Sequence, residues 1–293
     1  MKDSRQKKIK STYQHEPWLG VQGSGLWAKP PRTPNPQPRT RAPIGLSVRR
    51  SQIIPGNVRP LLRQIGRIAE AHGMRAYAVG GCVRDWLLGI RGTTDLDVTI
   101  EGSGIEVARA VSLALKGSLQ VHQQFGTATV VVRRSTKAVR VDIATCRKET
   151  YAKPAAYPRV SAGMLKDDLR RRDFTINAMA VAVDPRRFGT LVDPCGGCED
   201  LRTKTLRVLH RRSFLDDPSR ILRGVRFARR FGLQWERATQ RACREAMAAG
   251  ALGWLNAGRL RKELDRMRAE PDPRACLDAF ASLLTGGASR PWS

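Results

Sequence analysis

No run of 18 or more apolar residues occurs in this sequence, so no membrane-spanning helix is expected. Acidic residues are scarce, with 26 Asp and Glu against 53 Lys and Arg, which leaves a formal net charge of +27. A charge so far from zero speaks of partners rather than fold, and phosphate polymers are its commonest complement, ahead of acidic membranes. The opening residues, Met1-Lys-Asp-Ser-Arg-Gln-Lys-Lys8, lack an apolar core and do not read as a secretory signal. Cysteine is sparse too. Six scattered over 293 residues read as reduced thiols of the cytoplasm, not as a disulfide framework. One pair, Cys195-Gly-Gly-Cys198, has zinc-like spacing, but no second CxxC or CxxH accompanies it and His210 would complete only three ligands; a Gly-rich turn is the expected reading. The GxGxxG fingerprint is also missing, which excludes a dinucleotide-binding turn.

What is present falls into a tail, a mixed region and a helical region. Residues 1–57 hold eight of the 17 prolines and eleven Lys or Arg against Asp3 and Glu16, and the run Pro30 to Pro38 can form neither helix nor central strand. This reads as a disordered basic tail, either an RNA tether or a solubilising extension. Its +9 leaves +18 on the remaining chain, which is basic in its own right. Periodicity begins near 58. Residues 58–72 predict a helix with Leu61, Leu62, Ile65, Ile68 and Ala69 on one face, and 77–79 predict a strand ending in Gly80-Gly81 before a second helix. Residues 95–100 alternate as a strand, 105–115 predict a helix, and 127–133 with 138–144 predict two hairpin-connected strands. The pattern beyond about 200 is almost wholly helical. The resulting expectation is an α+β head at 58–185, a small mixed sheet backed by helices, then an all-α neck at 186–285 and a disordered end at 286–293.

The sharpest chemistry lies at 80–97. Asp95 and Asp97 stand two apart on a strand and so project from one face. A divalent cation would relieve their repulsion, and Mg²⁺ binds through one or two carboxylates plus substrate phosphates, the arrangement of phosphoryl transfer. Asp142 on a neighbouring strand can supply a third carboxylate. Taken alone, such a pair is more often a solvated strand face. Gly80 and Gly81 after a strand allow close backbone approach to an anion, the next helix offers N–H groups, and Arg84 one turn in can clamp it; an ordinary tight turn would need the same glycines.

Four segments in order resemble one family. They are Gly80-Gly-Cys-Val-Arg-Asp-Trp-Leu-Leu-Gly89 with Thr94-Asp-Leu-Asp97; Asp168-Leu-Arg-Arg-Arg-Asp-Phe-Thr-Ile-Asn-Ala-Met179; Ser213-Phe-Leu-Asp-Asp-Pro-Ser-Arg-Ile-Leu-Arg223; and Arg259-Leu-Arg-Lys-Glu-Leu264. Over about 74–268 the chain is similar to class II tRNA nucleotidyltransferases (CCA-adding enzymes) and bacterial poly(A) polymerases. The resemblance implies a polymerase-β-like head followed by a helical neck. It implies that Gly81 and Arg84 contact the incoming triphosphate, that Asp95 and Asp97 hold magnesium, and that Arg172 touches the nucleotide or links head to neck. Asp217 and Arg220 would read the base edge in place of a nucleic-acid template, with Arg223 one turn on. Independently, an Asp accepts from the exocyclic amine of C or A while Arg donates to ring acceptors. Arg220, Arg223, Arg226 and Arg230 share an arc of one helix, which unaided reads as a solvated face. Asp217 could also be a favourable first-turn acid, and Asp173 an N-cap for a helix from Phe174. Residues 147–163 resemble the family's flexible loop beside the active site.

The expected activity is metal-dependent addition of C or A, from CTP and ATP, to the 3′ end of RNA, tRNA above all. Family members usually continue into further domains that grip the tRNA elbow; without them, acceptor-end recognition would fall to head, neck and tail or to a partner, which leaves C-adding, A-adding and poly(A)-adding open. Position 216 is Asp where many CCA-adding members carry Glu. Two rivals remain: a poly(A) polymerase acting on general RNA, and a catalytically silent RNA-binding protein that keeps the scaffold. No amphipathic basic helix with exposed apolar residues supports a membrane-surface role.

Overall fold

The computed structural model describes residues 53–90, 95–134 and 137–285. The expectations for a disordered end at 286–293 and for nearly all of the tail at 1–57 lie outside these residues, as does Thr94. Packing begins at Ile53 and Ile54, both buried.

Helix α1 (Arg59–Ala71) carries proline in its first turn, where no amide donor is missed, and buries Leu61, Leu62, Ile65 and Ala69 as the periodicity predicts. Strand β1 (Arg75–Val79) leads through Gly80 into α2 (Gly81–Leu87), then β2 (Asp95–Glu101) and α3 (Gly104–Leu115), which Ser103 caps by accepting from the Glu106 amide. Strands β3 (Ser118–His122), β4 (Thr127–Arg134) and β5 (Lys137–Thr145) follow, then β6 (Arg147–Thr150), β7 (Arg159–Ala162), α4 (Leu165–Arg170), β8 (Ala180–Ala182) and β9 (Leu191–Val192). Seven of the nine strands form one sheet in the order β3-β4-β5-β2-β1-β8-β9, with β2 and β5 parallel. Both faces of the sheet are covered. Alternation along β1 sends Ala76 and Ala78 to the core under α1 and α3, and Tyr77 and Val79 to a second cluster with Leu165 and Leu169 of α4.

The C-terminal part comprises α5 (Gly197–Arg202), β10 (Thr205–Leu206), α6 (Ser213–Asp216), α7 (Ser219–Phe231), β11 (Gln234–Trp235), α8 (Arg237–Ala248), α9 (Ala257–Arg268) and α10 (Pro273–Leu284). Phe174 sits in an aromatic cluster with Phe214 and Phe227, and Phe214 in turn meets Trp235, so the sheet region and the helices share a single apolar core.

Several expectations need correction. Residues 147–163 are not simply a loop, since β6 and β7 pair antiparallel within them. The region beyond 200 is not purely helical either, because β10 and β11 pair parallel. No helix begins at Phe174. That residue is extended and bridges Val208, and only a 3-10 turn, Thr175–Asn177, follows. The arginine arc of α7 is not a solvated face, for Arg220 and Arg226 are buried and all four arginines have acidic neighbours.

Close packing of α1 on the sheet depends on Gly66. A Cβ built there would lie 1.8 Å from the Val183 carbonyl oxygen, which is rigid backbone. Alanine is the better helix former by about 1 kcal/mol. Gly66→Ala is nevertheless expected to destabilise the fold by roughly 2 kcal/mol, because overpacking forces the helix off the sheet. Thermal denaturation reads the sign, and a raised melting temperature would contradict this packing.

Candidate functional site

A cleft of about 860 Å³ opens where the β1–α2 corner and the β2/β5 pair face α7 and α9. Gly80 makes the corner. Its φ of 74° and ψ of −131° suit glycine alone, and a Cβ there would lie 2.5 Å from Nη1 of Arg172. Gly81, Arg84, Asp97, Asp142, Arg172, Asp217, Arg220 and Arg223 all line the cleft. Gly80 lies behind that wall, and Asp95 stands exposed at the start of β2, outside the lining.

The acidic wall comes from register. Parallel pairing sets Asp97 opposite Asp142 and Asp95 opposite Arg140, while Leu96 and Val98 turn into the core. Asp142 accepts from Thr129 Oγ1 at 2.6 Å and pairs with Arg140 at 3.1 Å. Asp97 faces the cleft, yet the enclosing walls raise its carboxyl above the ordinary range; Arg172 pulls it down, and Asp142 and Asp95 push it up again. Three oxygen-bearing acids therefore share one face and repel, which is the electrostatic situation a hard cation relieves. Among the described residues no three or more His, Cys, Asp or Glu form a cage for a metal by themselves. Magnesium needs none, since one or two carboxylates plus substrate phosphates suffice. Cys195 and Cys198 instead flank a turn whose Gly197 and Cys198 amides are capped by Asp193.

The rest of the lining is basic and closely braced. Arg84 is buried, donates to Asp85 Oδ1 and to Asn177 Oδ1, and stacks on the Phe227 and Phe231 rings with its Cζ 5.2 and 4.5 Å from their centroids. Arg172 pairs with Asp168 at 3.0 Å, and its buried Nε has no partner among the described residues. Arg223 grips Asp173 Oδ2 through Nε at 2.8 Å and Nη2 at 2.5 Å, tying α7 to the sheet region. Burial alone would raise the Asp173 carboxyl, but Arg223 and the Asn177 amide hold it down at about 2. Asp173 does not act as an N-cap: the turn Thr175–Asn177 starts after Phe174 without a side-chain cap, and Asp173 Oδ1 accepts from the Phe174 amide and from Asn177 Nδ2 instead. Arg220 donates from Nη1 to Ser213 Oγ and from Nη2 to the Arg171 carbonyl. Asp217 accepts from the Ser219 amide and hydroxyl and, at 2.6 Å, from Arg259. Its Oδ2 stands 3.9 Å from Nε of Arg220, and neither atom makes a hydrogen bond among the described residues.

Glu149 went unnoticed in the sequence. Nearly buried, it accepts from Arg147, Arg171 and Tyr151 and so pins β6 to the segment that carries Arg172. Arg259, quoted above within a motif but given no task, supports Asp217 across 42 positions. A lone acid in a basic stretch was the available signal for Glu149; no spacing rule announces the Arg259 contact.

Residues 76–207 match the family model of the poly(A) polymerase head domain. An A-adding tRNA nucleotidyltransferase of Halalkalibacterium halodurans is 41% identical over 225 residues, 76% of this chain and 51% of that protein. A CC-adding tRNA nucleotidyltransferase of the same organism is 34% identical over 197 residues, 67% of this chain and 45% of that protein. A solved tRNA nucleotidyltransferase, complexed with a primer tRNA and an incoming ATP analog, is similar at a TM-score of 0.67 and 38% identity, covering 75% of this chain and 60% of its own. The chain spans about half the length of these two curated relatives, and 26% and 23% of two further A-adding tRNA nucleotidyltransferases, of Geobacter sulfurreducens and Aquifex aeolicus.

Proposed function

We propose, from the match of residues 76–207 to the poly(A) polymerase head domain, that the chain is a template-independent RNA nucleotidyltransferase. It adds A, or C and A, from ATP and CTP to the 3′ end of tRNA and releases pyrophosphate. The observation that carries this reading is the pairing of Asp217 Oδ2 with Arg220 Nε, an acceptor beside a donor, in the same cleft as Asp97 and Asp142. That pair matches the amino group and ring nitrogen that C and A share and that U and G do not offer in the same pattern. Both residues are braced from behind by Ser213, Ser219 and Arg259, so their orientation exists before the nucleotide arrives.

Each remaining residue has a task in the reaction. Asp95 and Asp97, with Asp142 beside them, are the magnesium ligands of this reading; bound there, the ion would neutralise charge on the triphosphate and make the RNA 3′-hydroxyl a better nucleophile. Gly80 and Gly81 let the backbone approach the phosphates, and Arg172, which lines the cleft, adds positive charge beside them. Arg84 and Arg223 hold the two walls in register more than they reach for substrate, because their guanidinium groups are already engaged. The net charge of +27 suits an RNA substrate. No described helix is long and apolar enough to cross a membrane, and six free cysteines suit the reducing cytoplasm, where we place the activity.

The higher identity to the A-adding relative than to its CC-adding counterpart favours A addition. The test is to incubate the protein with tRNA lacking CCA, tRNA ending in CC and an unstructured RNA, each with ATP or CTP alone. One A added to tRNA ending in CC is expected. Long A tracts on the unstructured RNA would support the poly(A) polymerase reading instead, and no incorporation on any RNA would leave only an RNA-binding scaffold.

A further inference from the structure

A second cavity, of about 410 Å³, lies on the far side of the segment joining β6 to β7, lined by Lys153, Pro154, Ala155, Ala156 and Trp254. Ala156 also lines the main cleft, so the two spaces are separated by little more than this segment. The cavity is built rather than incidental. Ala155 holds a φ of 56°, a conformation costly for a residue with a Cβ, and its amide is fixed on the Leu215 carbonyl at 3.0 Å. The Ala156 amide closes a turn on the Lys153 carbonyl, and Asn256 Nδ2 donates to the Tyr157 hydroxyl at 3.3 Å. The other wall is the 3-10 turn Ala251–Trp254, which leaves the Trp254 indole 42% exposed. An indole is the most hydrophobic flat surface a side chain offers, and nothing in the reaction described above uses it. Lys153 is exposed beside it and takes part in no ion pair among the described residues.

A flat aromatic face next to an uncommitted cation is how single-stranded nucleic acid is held: a base stacks and its phosphate meets the charge. We propose that the Trp254–Lys153 cavity is a stacking subsite for one unpaired nucleotide of the RNA strand, just upstream of the 3′ end. The identity of the strand rests on the nucleotidyltransferase reading, whereas stacking is measured without turnover. The subsite gives the protein a means of preferring an unpaired 3′ tail over a blunt end without reading sequence, since every base has a π-face.

The test uses the full chain, without nucleoside triphosphate, and two labelled RNA hairpins with the same stem, one blunt and one carrying a four-nucleotide 3′ tail. Fluorescence anisotropy gives both dissociation constants. Trp254→Ala is expected to weaken binding of the tailed hairpin about tenfold and that of the blunt hairpin less than about twofold. Trp254→Phe should restore most of the loss, which a folding defect would not allow, and Lys153→Gln should flatten the salt dependence for the tailed RNA alone. Equal weakening for both hairpins, no weakening for either, or a wild-type protein indifferent to the tail would overturn the subsite. Wild-type protein that incorporates no nucleotide yet prefers the tail through Trp254 would sink the nucleotidyltransferase reading and leave the subsite standing.

Discussion

Asp97→Asn is expected to lower nucleotide incorporation by at least about a thousandfold, while RNA binding stays within about twofold of wild type. Asparagine preserves the shape of the side chain but withdraws the negative charge at the centre of the acidic face, where Asp142 stands directly across the strands. A further consequence distinguishes a functional acid from a structural one. The fold disfavours the ionised Asp97, through enclosure first and through Asp142 and Asp95 after it. Removing that charge should therefore leave the melting temperature in magnesium-free buffer unchanged or slightly higher, as at sites where activity opposes stability. Incorporation assays, filter binding and thermal denaturation on one preparation separate the effects. A variant that turns over normally would remove Asp97 from the chemistry, and one that melts far lower would make it a structural residue.

Asp173→Ala should act in the opposite way, through stability. It leaves Arg223 partly buried and stripped of its main partner, and it deprives the Phe174 amide and the Asn177 side chain of their acceptor. Breaking a buried pair on one side costs about 3 to 5 kcal/mol, so urea denaturation should show a loss of that order. Asp173→Asn should lose less, because its carbonyl can still accept and Glu263 stands 4.0 Å from Arg223. The same carboxyl predicts a pH dependence. Its folded value of about 2 lies below the ordinary 3.8, so the folded state favours the ionised form. That contribution, roughly 2 kcal/mol, is fully present above pH 4 and is lost as pH falls from about 4 towards 2. Wild-type stability should drop over this window more steeply than that of Asp173→Asn; parallel curves would show that the pair carries no such linkage.

Period and glycine placement made much of the fold readable in advance. The buried face of α1 and the two-residue spacing of Asp95 and Asp97 are local properties, and the corner at Gly80 follows from the need for positive φ. What stayed hidden was long-range. Short strands such as Ala180–Ala182 and Thr205–Leu206 are too brief to show alternation and exist because a partner strand waits for them. Helical spacing alone leaves the arginines of α7 open between a solvated face and a nucleotide-contacting one, and only tertiary structure brings Asp173, Glu263 and Glu270 to meet them. Arg84 shows the limit most clearly: its position suggests a phosphate clamp, but nothing local announces that Asn177, 93 residues away, and two phenylalanines of α7 brace its guanidinium.

Phe174, between the sheet region and the helices, packs at once on Phe214 of α6 and Phe227 of α7. The sheet region and the helices consequently have no seam along which either could melt by itself, and heating should release both in one cooperative step. On the proposed function, nucleotide choice could not be changed by exchanging one half for another. A change of base preference written into α7 has to be compatible with the aromatic wedge beneath it, so the surface that selects and the interior that holds must change together.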